Sequence, residues 1–175
     1  MKDDNLRIIL SQKLSKDEIL SYAKIVTPYN CNKILPLIAE KDKNLSGNIA
    51  YIFLYASKEI EMWLIGQTVF IMEVIQTTTD EKTKRLLMSI LVKLKFNTIN
   101  IKFLDYCFDN IVSAKSPCAI RVLCIKLAHK QSAQYPELLS ELKIILESMD
   151  NSTLNPSVAC AKKNTLKRIN SILYR

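Results

Sequence analysis

The chain has 175 residues, of which 49% are hydrophobic and 24% charged, with a formal net charge of +8; this composition supports one well-buried core and indicates neither a disordered chain nor a membrane protein. Its 2 glycines are too few for the many turns of an all-β protein or for the phosphate-cradling loops of P-loop and dinucleotide-binding folds. No segment reaches membrane-spanning length without a charge, and the opening Met1-Lys2-Asp3-Asp4-Asn5 lacks the apolar run of a secretory signal, so a cytoplasmic protein with no membrane partner is expected.

In chain order, Ser15 followed by Glu18 reads as a capping box opening a helix to about Val26. Asn30 to Lys41 is the next helical segment, which Pro36 should kink or shorten. Ser46 begins another that runs through Ile49, Ile52, Phe53 and Ala56. Glu59 to Thr77 is long and mostly apolar, a helix covered on several sides and broken near Gly66. From Asp80 to Leu94 the periodicity is clearest: Leu86, Leu87, Ile90, Leu91 and Leu94 form one face, and Lys82, Arg85, Ser89 and Lys93 a polar stripe. Thr78 with Glu81 predicts a second capping box there. Ser116-Pro117, Tyr135-Pro136-Glu137 and Asn155-Pro156 each predict a proline at a first helical position, where its missing N–H costs nothing. Between Pro136 and Met149, Leu138, Leu139, Leu142, Ile145 and Leu146 face one way while Glu137 and Glu141 lie on another side.

Helix starts near Ser46, Asp80, Pro117 and Asn155 recur at 34, 37 and 38 residues, with a second helix inside each of the first three intervals. Setting Arg85-Leu86-Leu87 over Arg121-Val122-Leu123, 36 residues on, brings Leu91 onto Leu127 and Lys84 onto Ile120. A hairpin of this length exposes an apolar face when alone, and a stacked neighbour covers it. The expected fold is all-α: about four helical hairpins in a short right-handed alpha-alpha superhelix, forming a single domain over residues 1–175. In this pattern, and in the stretches Leu104-Asp105-Tyr106-Cys107-Phe108 and Tyr135-Pro136-Glu137-Leu138, the whole chain resembles small HEAT-like or armadillo-like alpha-solenoid proteins of bacteria. The resemblance implies a fold and names no reaction.

No catalytic, metal or cofactor site is expected. The cysteines, Cys31, Cys107, Cys118, Cys124 and Cys160, are 5 in number, contain no CxxC pair and mostly sit among apolar residues, as reduced core thiols do. The single histidine, His129, has no carboxylate or cysteine at metal-ligand spacing and is expected as a cation at a helix C-terminus. No GxSxG or Walker sequence occurs. Asp105 and Asp109, one turn apart, are expected to pair with Arg85 and Arg121 of neighbouring repeats.

The charge is uneven. Residues 1–79 hold 9 Lys/Arg and 9 Asp/Glu, residues 80–175 hold 16 and 8, and the segment from Asn155 to Arg175 holds Lys162, Lys163, Lys167, Arg168 and Arg175 with no acid. With Lys82, Arg85, Arg121, Lys126 and Lys130, the residues Lys162, Lys163, Lys167 and Arg168 form the candidate binding surface. The leading expectation is a non-catalytic protein-interaction scaffold whose basic half takes an acidic protein partner. The alternative is a nucleic-acid-binding protein using the same cations on phosphates. Aromatic residues of this half, Phe96, Phe103, Tyr106, Phe108, Tyr135 and Tyr174, mostly fall at helix-core spacing instead of interleaving with the cations, which favours the scaffold.

Overall fold

The computed structural model describes residues 3–173, with side chains from residue 5; Met1, Lys2, Tyr174 and Arg175, together with the side chains of Asp3 and Asp4, lie outside the described residues. Among these, all regular structure is helical. The elements are α1 (Asp3–Leu10), α2 (Lys16–Ile25), α3 (Pro28–Ile34), a 3-10 turn (Pro36–Ala39), α4 (Lys43–Leu54), α5 (Lys58–Ile65), α6 (Thr68–Thr77), α7 (Glu81–Lys93), α8 (Ile101–Val112), α9 (Cys118–Ser132), α10 (Pro136–Ser148) and α11 (Pro156–Leu173). No described helix is long and apolar enough to cross a membrane.

Local chemistry sets the boundaries. Ser15 and Glu18 form the reciprocal capping box of α2, and Pro36 ends α3 and starts the 3-10 turn because it cannot continue the ladder. The long apolar stretch after Glu59 breaks at Gly66 and Gln67 into α5 and α6. One start and two caps differ from the expectation, an aspartate holding the first amides in place of the residues named for the role. Asp42 caps α4 by accepting from the Asn44 and Leu45 amides, so that helix begins before Ser46, which is buried within it. Asp80 caps α7 by accepting from the Thr83 amide, and the Thr78 hydroxyl accepts from the Asp80 amide instead of forming a box with Glu81. Pro136 and Pro156 open α10 and α11 as their first residues, whereas Pro117 stands one position outside α9 as its cap.

The chain divides into two compact units, Met1–Phe96 and Asn97–Arg175. Within the first, α2 packs on α4 and α4 on α7, while α3 packs on α5. Within the second, α9 packs on α11 and α8 on α10, and α9 also meets α8 and α10. In each unit, first helices of successive hairpins therefore lie on first helices and second helices on second, the arrangement of a helical solenoid.

The first helices α4, α7, α9 and α11 start 38, 37 and 38 residues apart, and burial follows the same register. Leu45, Ile49, Ala50, Ile52, Phe53 and Ala56 are buried around α4; Thr83, Leu87, Met88, Ile90, Leu91 and Leu94 around α7; and Ile120, Cys124, Ile125, Leu127, Ala128 and Gln131 on α9. The expected 36-residue alignment is one residue short: Leu91 corresponds to Ala128, and Lys84 to the half-buried Arg121. On α11 the same places hold Val158, Lys162, Lys163, Thr165, Leu166 and Ile169. Lys163 is exposed and Leu166 half-buried, so the face covered in the other three helices is partly open here.

Each of these four helices also closes the end of an earlier one. Asn48 Nδ2 on α4 donates to the Leu10 and Gln12 carbonyls at the end of α1, at 2.9 and 2.8 Å. Lys93 Nζ donates to Leu54 O at the end of α4 (3.2 Å), and Arg121 Nε to Ile111 O near the end of α8 (3.0 Å). Lys162 Nζ donates to Met149 O after α10 (2.6 Å). The last carbonyls of a helix have no partner within it, and a cation there also meets the negative end of the dipole.

Candidate functional site

The second unit separates charge by helix layer. Its first helices, α9 and α11, carry Arg121, Lys126, Lys130, Lys162, Lys163, Lys167 and Arg168, and neither contains an acidic residue. Its second helices, α8 and α10, carry Asp105, Asp109, Glu137, Glu141 and Glu147 against Lys102 and Lys143. A sequence count mixes the two layers and shows only the net excess.

The basic side chains are not equivalent. Lys162 is only 6% exposed; its ammonium reaches Met149 O and, at 2.9 Å, Asn151 Oδ1. It is a structural cap and not the surface cation that the sequence suggested, because the long lysine stem lies along the core and delivers the charge to a helix end. Arg121 is half-buried and holds Ile111 O, so the pairing expected with Asp105 and Asp109 does not form; both aspartates are exposed. Lys126, Lys163, Lys167 and Arg168 are exposed, and Lys130 is half-buried, its pKa lowered by burial. One shallow depression is lined by Asn151, Ala159, Lys162, Lys163 and Leu166, and a second by Asn164, Lys167, Arg168 and Ser171. In the first unit Lys82 and Arg85 are exposed on α7; Lys82 and Lys43 help hold the Asp80 carboxyl low, together with hydrogen bonds from Thr83 that outweigh the upward push of burial.

His129 lies in the last turn of α9, as expected, but not as a cation. Burial, and then the nearby Arg168 charge, lower its pKa, and its Nε2 is buried without a hydrogen-bond partner, which together favour the neutral ring. Two Ser-x-x-Lys spacings, Ser21 with Lys24 and Ser140 with Lys143, lie on helices. Each serine hydroxyl donates to the carbonyl four residues back, at 2.9 and 2.8 Å. Cys31, Cys107 and Cys124 are buried, as core thiols should be, whereas Cys118 is half-buried and Cys160 exposed on α11. Burial raises the Cys31 pKa to about 12; it also pushes the Cys107 thiol well up, with neighbouring Cys124 adding to the shift. Among the described residues no group of three or more His, Cys, Asp or Glu side chains is placed to hold a metal ion. Of the aromatics, Phe96, Phe103 and Phe108 are buried, Tyr106 is half-buried and Tyr135 is exposed.

Stacked first helices, stacked second helices and a burial register of 37 to 38 residues define an all-α helical-repeat protein of the α-solenoid class. The model of the HEAT repeat domain matches residues 6–169. The chain belongs to the HEAT-repeat family. No curated protein and no solved structure matches it.

Proposed function

We propose that the chain is one helical-repeat domain acting as a non-catalytic protein-interaction module, and that it takes an acidic partner on the α9–α11 layer through the exposed Lys126, Lys163, Lys167 and Arg168. The observation that carries this reading is the separation of charge: the two packed helices α9 and α11 contain seven cations and no acid. A field of one sign steers an oppositely charged partner and raises its rate of association. HEAT repeats generally serve as interaction scaffolds, and the family match spans both compact units. Lys82 and Arg85 on α7 are a separate pair of exposed cations in the first unit, and Lys162 and Arg121 are committed to helix ends.

Nucleic acid is the competing occupant, since phosphates satisfy the same cations. Labelled oligoglutamate, duplex DNA, single-stranded DNA and RNA titrated with the protein at several salt concentrations separate the two. Oligoglutamate binding that weakens with salt and is lost in Lys163→Glu/Lys167→Glu, chiefly through slower association, supports the proposal. Tighter binding of any nucleic acid than of oligoglutamate replaces it with the nucleic-acid reading. Absence of binding to all four at low salt removes the layer as a binding surface.

A further inference from the structure

Helix α11 leaves open a face that its counterparts bury. Ala50 and Phe53 on α4, Met88 and Leu91 on α7, and Ile125 and Ala128 on α9 are all buried; at the same places α11 holds Lys163, which is exposed, and Leu166, which is half-buried. One turn further on, Ser132 of α9 is buried and its counterpart Asn170 is exposed. Ala159, Lys163, Leu166, Asn170 and Leu173 follow one another in steps of four and three, so they form a single stripe along α11. None of the five is buried, and the exposed Lys167 stands one turn from Lys163 beside them. The shallow depression that Ala159, Lys163 and Leu166 line with Asn151 and Lys162 has a volume of about 340 Å³. A large aliphatic side chain fits there, since an engineered cavity of about 150 Å³ accepts a benzene ring.

A stripe with this spacing is matched by another helix whose own aliphatic residues recur at steps of four and three. Such a helix covers Ala159, Leu166 and Leu173. Charge decides the rest of its surface. Helix α11 contains no acid, and Lys163 stands where α4, α7 and α9 place an apolar residue, so the occupant needs carboxylates beside its aliphatic seam. The nearby acid Asp150, in the turn before α11, is held by the Ser152 amide and hydroxyl at 2.9 and 2.7 Å. Phosphates satisfy the two lysines and leave the aliphatic side chains uncovered. The α11 of a second copy sets lysine against lysine, and the acidic helix α10 has its leucines Leu139, Leu142 and Leu146 buried, so the fitting helix is that of another protein.

We infer that the partner presents an acidic amphipathic helix, which lies along α11 with aliphatic residues on Ala159 and Leu166 and carboxylates on Lys163 and Lys167, and so covers the stripe as neighbouring helices cover Ile125 and Ala128 on α9. The inference rests on the acidic-partner reading above and gives that partner a form: a helix with an apolar seam, and not any acidic chain. One helix on one stripe makes a small interface, and the association is reversible.

The full chain is titrated by fluorescence anisotropy with three labelled peptides of the length of α11, 18 residues. One carries leucines at steps of four and three among glutamates, one has the same composition with the leucines spread around the helix, and one is oligoglutamate. Wild type should bind the first at least about tenfold more tightly than the other two, because only its leucines reach the stripe together. Leu166→Asn and Ala159→Asn, each verified by unchanged far-UV circular dichroism, should lose that preference and keep oligoglutamate binding, whereas Lys163→Glu/Lys167→Glu should lose all three peptides. Equal binding of the three peptides by wild type, lost in the double variant, overturns the helix and leaves the acidic partner standing; this comparison decides whether or not a variant folds. Absence of binding to every peptide overturns both readings. A preference that survives in both folded asparagine variants also overturns the inference, since the leucines then sit elsewhere. Sedimentation velocity of the protein alone completes the test: self-association that is lost in Leu166→Asn makes a second copy the occupant and overturns the partner helix.

Discussion

Replacing Lys162 with methionine isolates the cost of removing a buried helix cap. The substitution keeps a long apolar stem at a site only 6% exposed and removes the ammonium that reaches Met149 O at 2.6 Å and Asn151 Oδ1 at 2.9 Å. Asn151 is exposed and regains water, so its loss is small; the Met149 carbonyl sits at a buried bond and does not. Hydrogen bonds to charged groups contribute about 1.5–3 kcal/mol each, and an orphaned buried acceptor costs about 1–3 kcal/mol. Part of this is offset because methionine carries no desolvation penalty. The expected loss is therefore about 2 kcal/mol, which lowers Tm by roughly 4–8 °C for a chain of this size. Urea unfolding followed by circular dichroism reads the change as a shift in midpoint at constant slope. Lys163→Met, on the exposed neighbour, should change stability by no more than about 0.5 kcal/mol. If Lys162→Met is as stable as wild type, or Lys163→Met costs as much, the cap is not what anchors α11 to α10. The converse assay completes the test: Lys162→Met should keep the oligoglutamate binding that Lys163→Glu/Lys167→Glu loses.

Gly47→Ala should stabilise the protein by about 0.5–1 kcal/mol, read by thermal melting, because glycine is unfavourable inside a helix and the added Cβ would meet Lys82 Nζ and Thr83 Oγ1 at an ordinary 3.6 Å; a lower Tm would mean that α4 and α7 cannot accommodate it. The His129 pKa is depressed in the folded state, so the unfolded chain takes up the proton first. Its contribution to stability is present above about pH 6.5 and falls away as the pH drops toward the folded value. Glu18, Asp42, Asp80 and Asp150, also depressed, act only below about pH 4, and His129→Gln should therefore flatten the stability profile between pH 7 and 5; an unchanged slope would refute the role. Thiol labelling of the native protein should modify Cys160 first and Cys118 more slowly, and reach Cys31, Cys107 and Cys124 only on unfolding. Native labelling of Cys107 at the Cys160 rate would contradict its burial.

Helices and their repeat were legible because apolar spacing, prolines and caps are local signals. The caps that differ, at Asp42 and Asp80, are places where two capping residues compete and their hydrogen bonds decide between them, whereas at Pro117 the helix starts one residue later with no side-chain cap bond. The repeat register illustrates a different limit. Aligning Arg85 with Arg121 matched residue types, yet the buried positions align at 37 residues, because a core position can be filled by Thr83 in one repeat and Ile120 in the next. Burial is a property of the neighbours, and residue type reports it only on average.

The candidate site was legible as an excess of charge and not as a surface. Lysine at an apparent surface position carries two structural meanings, since its stem packs against apolar groups while its ammonium can turn either to solvent or to a carbonyl at a helix end. Lys93, Arg121 and Lys162 take the second course, and each time the acceptor belongs to an earlier helix. A repeat protein has a standing need for such donors, because every hairpin ends a helix beside the next one. Basic composition in a helical solenoid is thus partly the chemistry of closing helix ends. What remains for the proposed partner is the set not so committed, Lys126, Lys163, Lys167 and Arg168 exposed on two acid-free helices, with the helical acids of the same unit on α8 and α10. That separation makes the charge directional, and a directional field is what a binding surface needs and a merely solvated one does not.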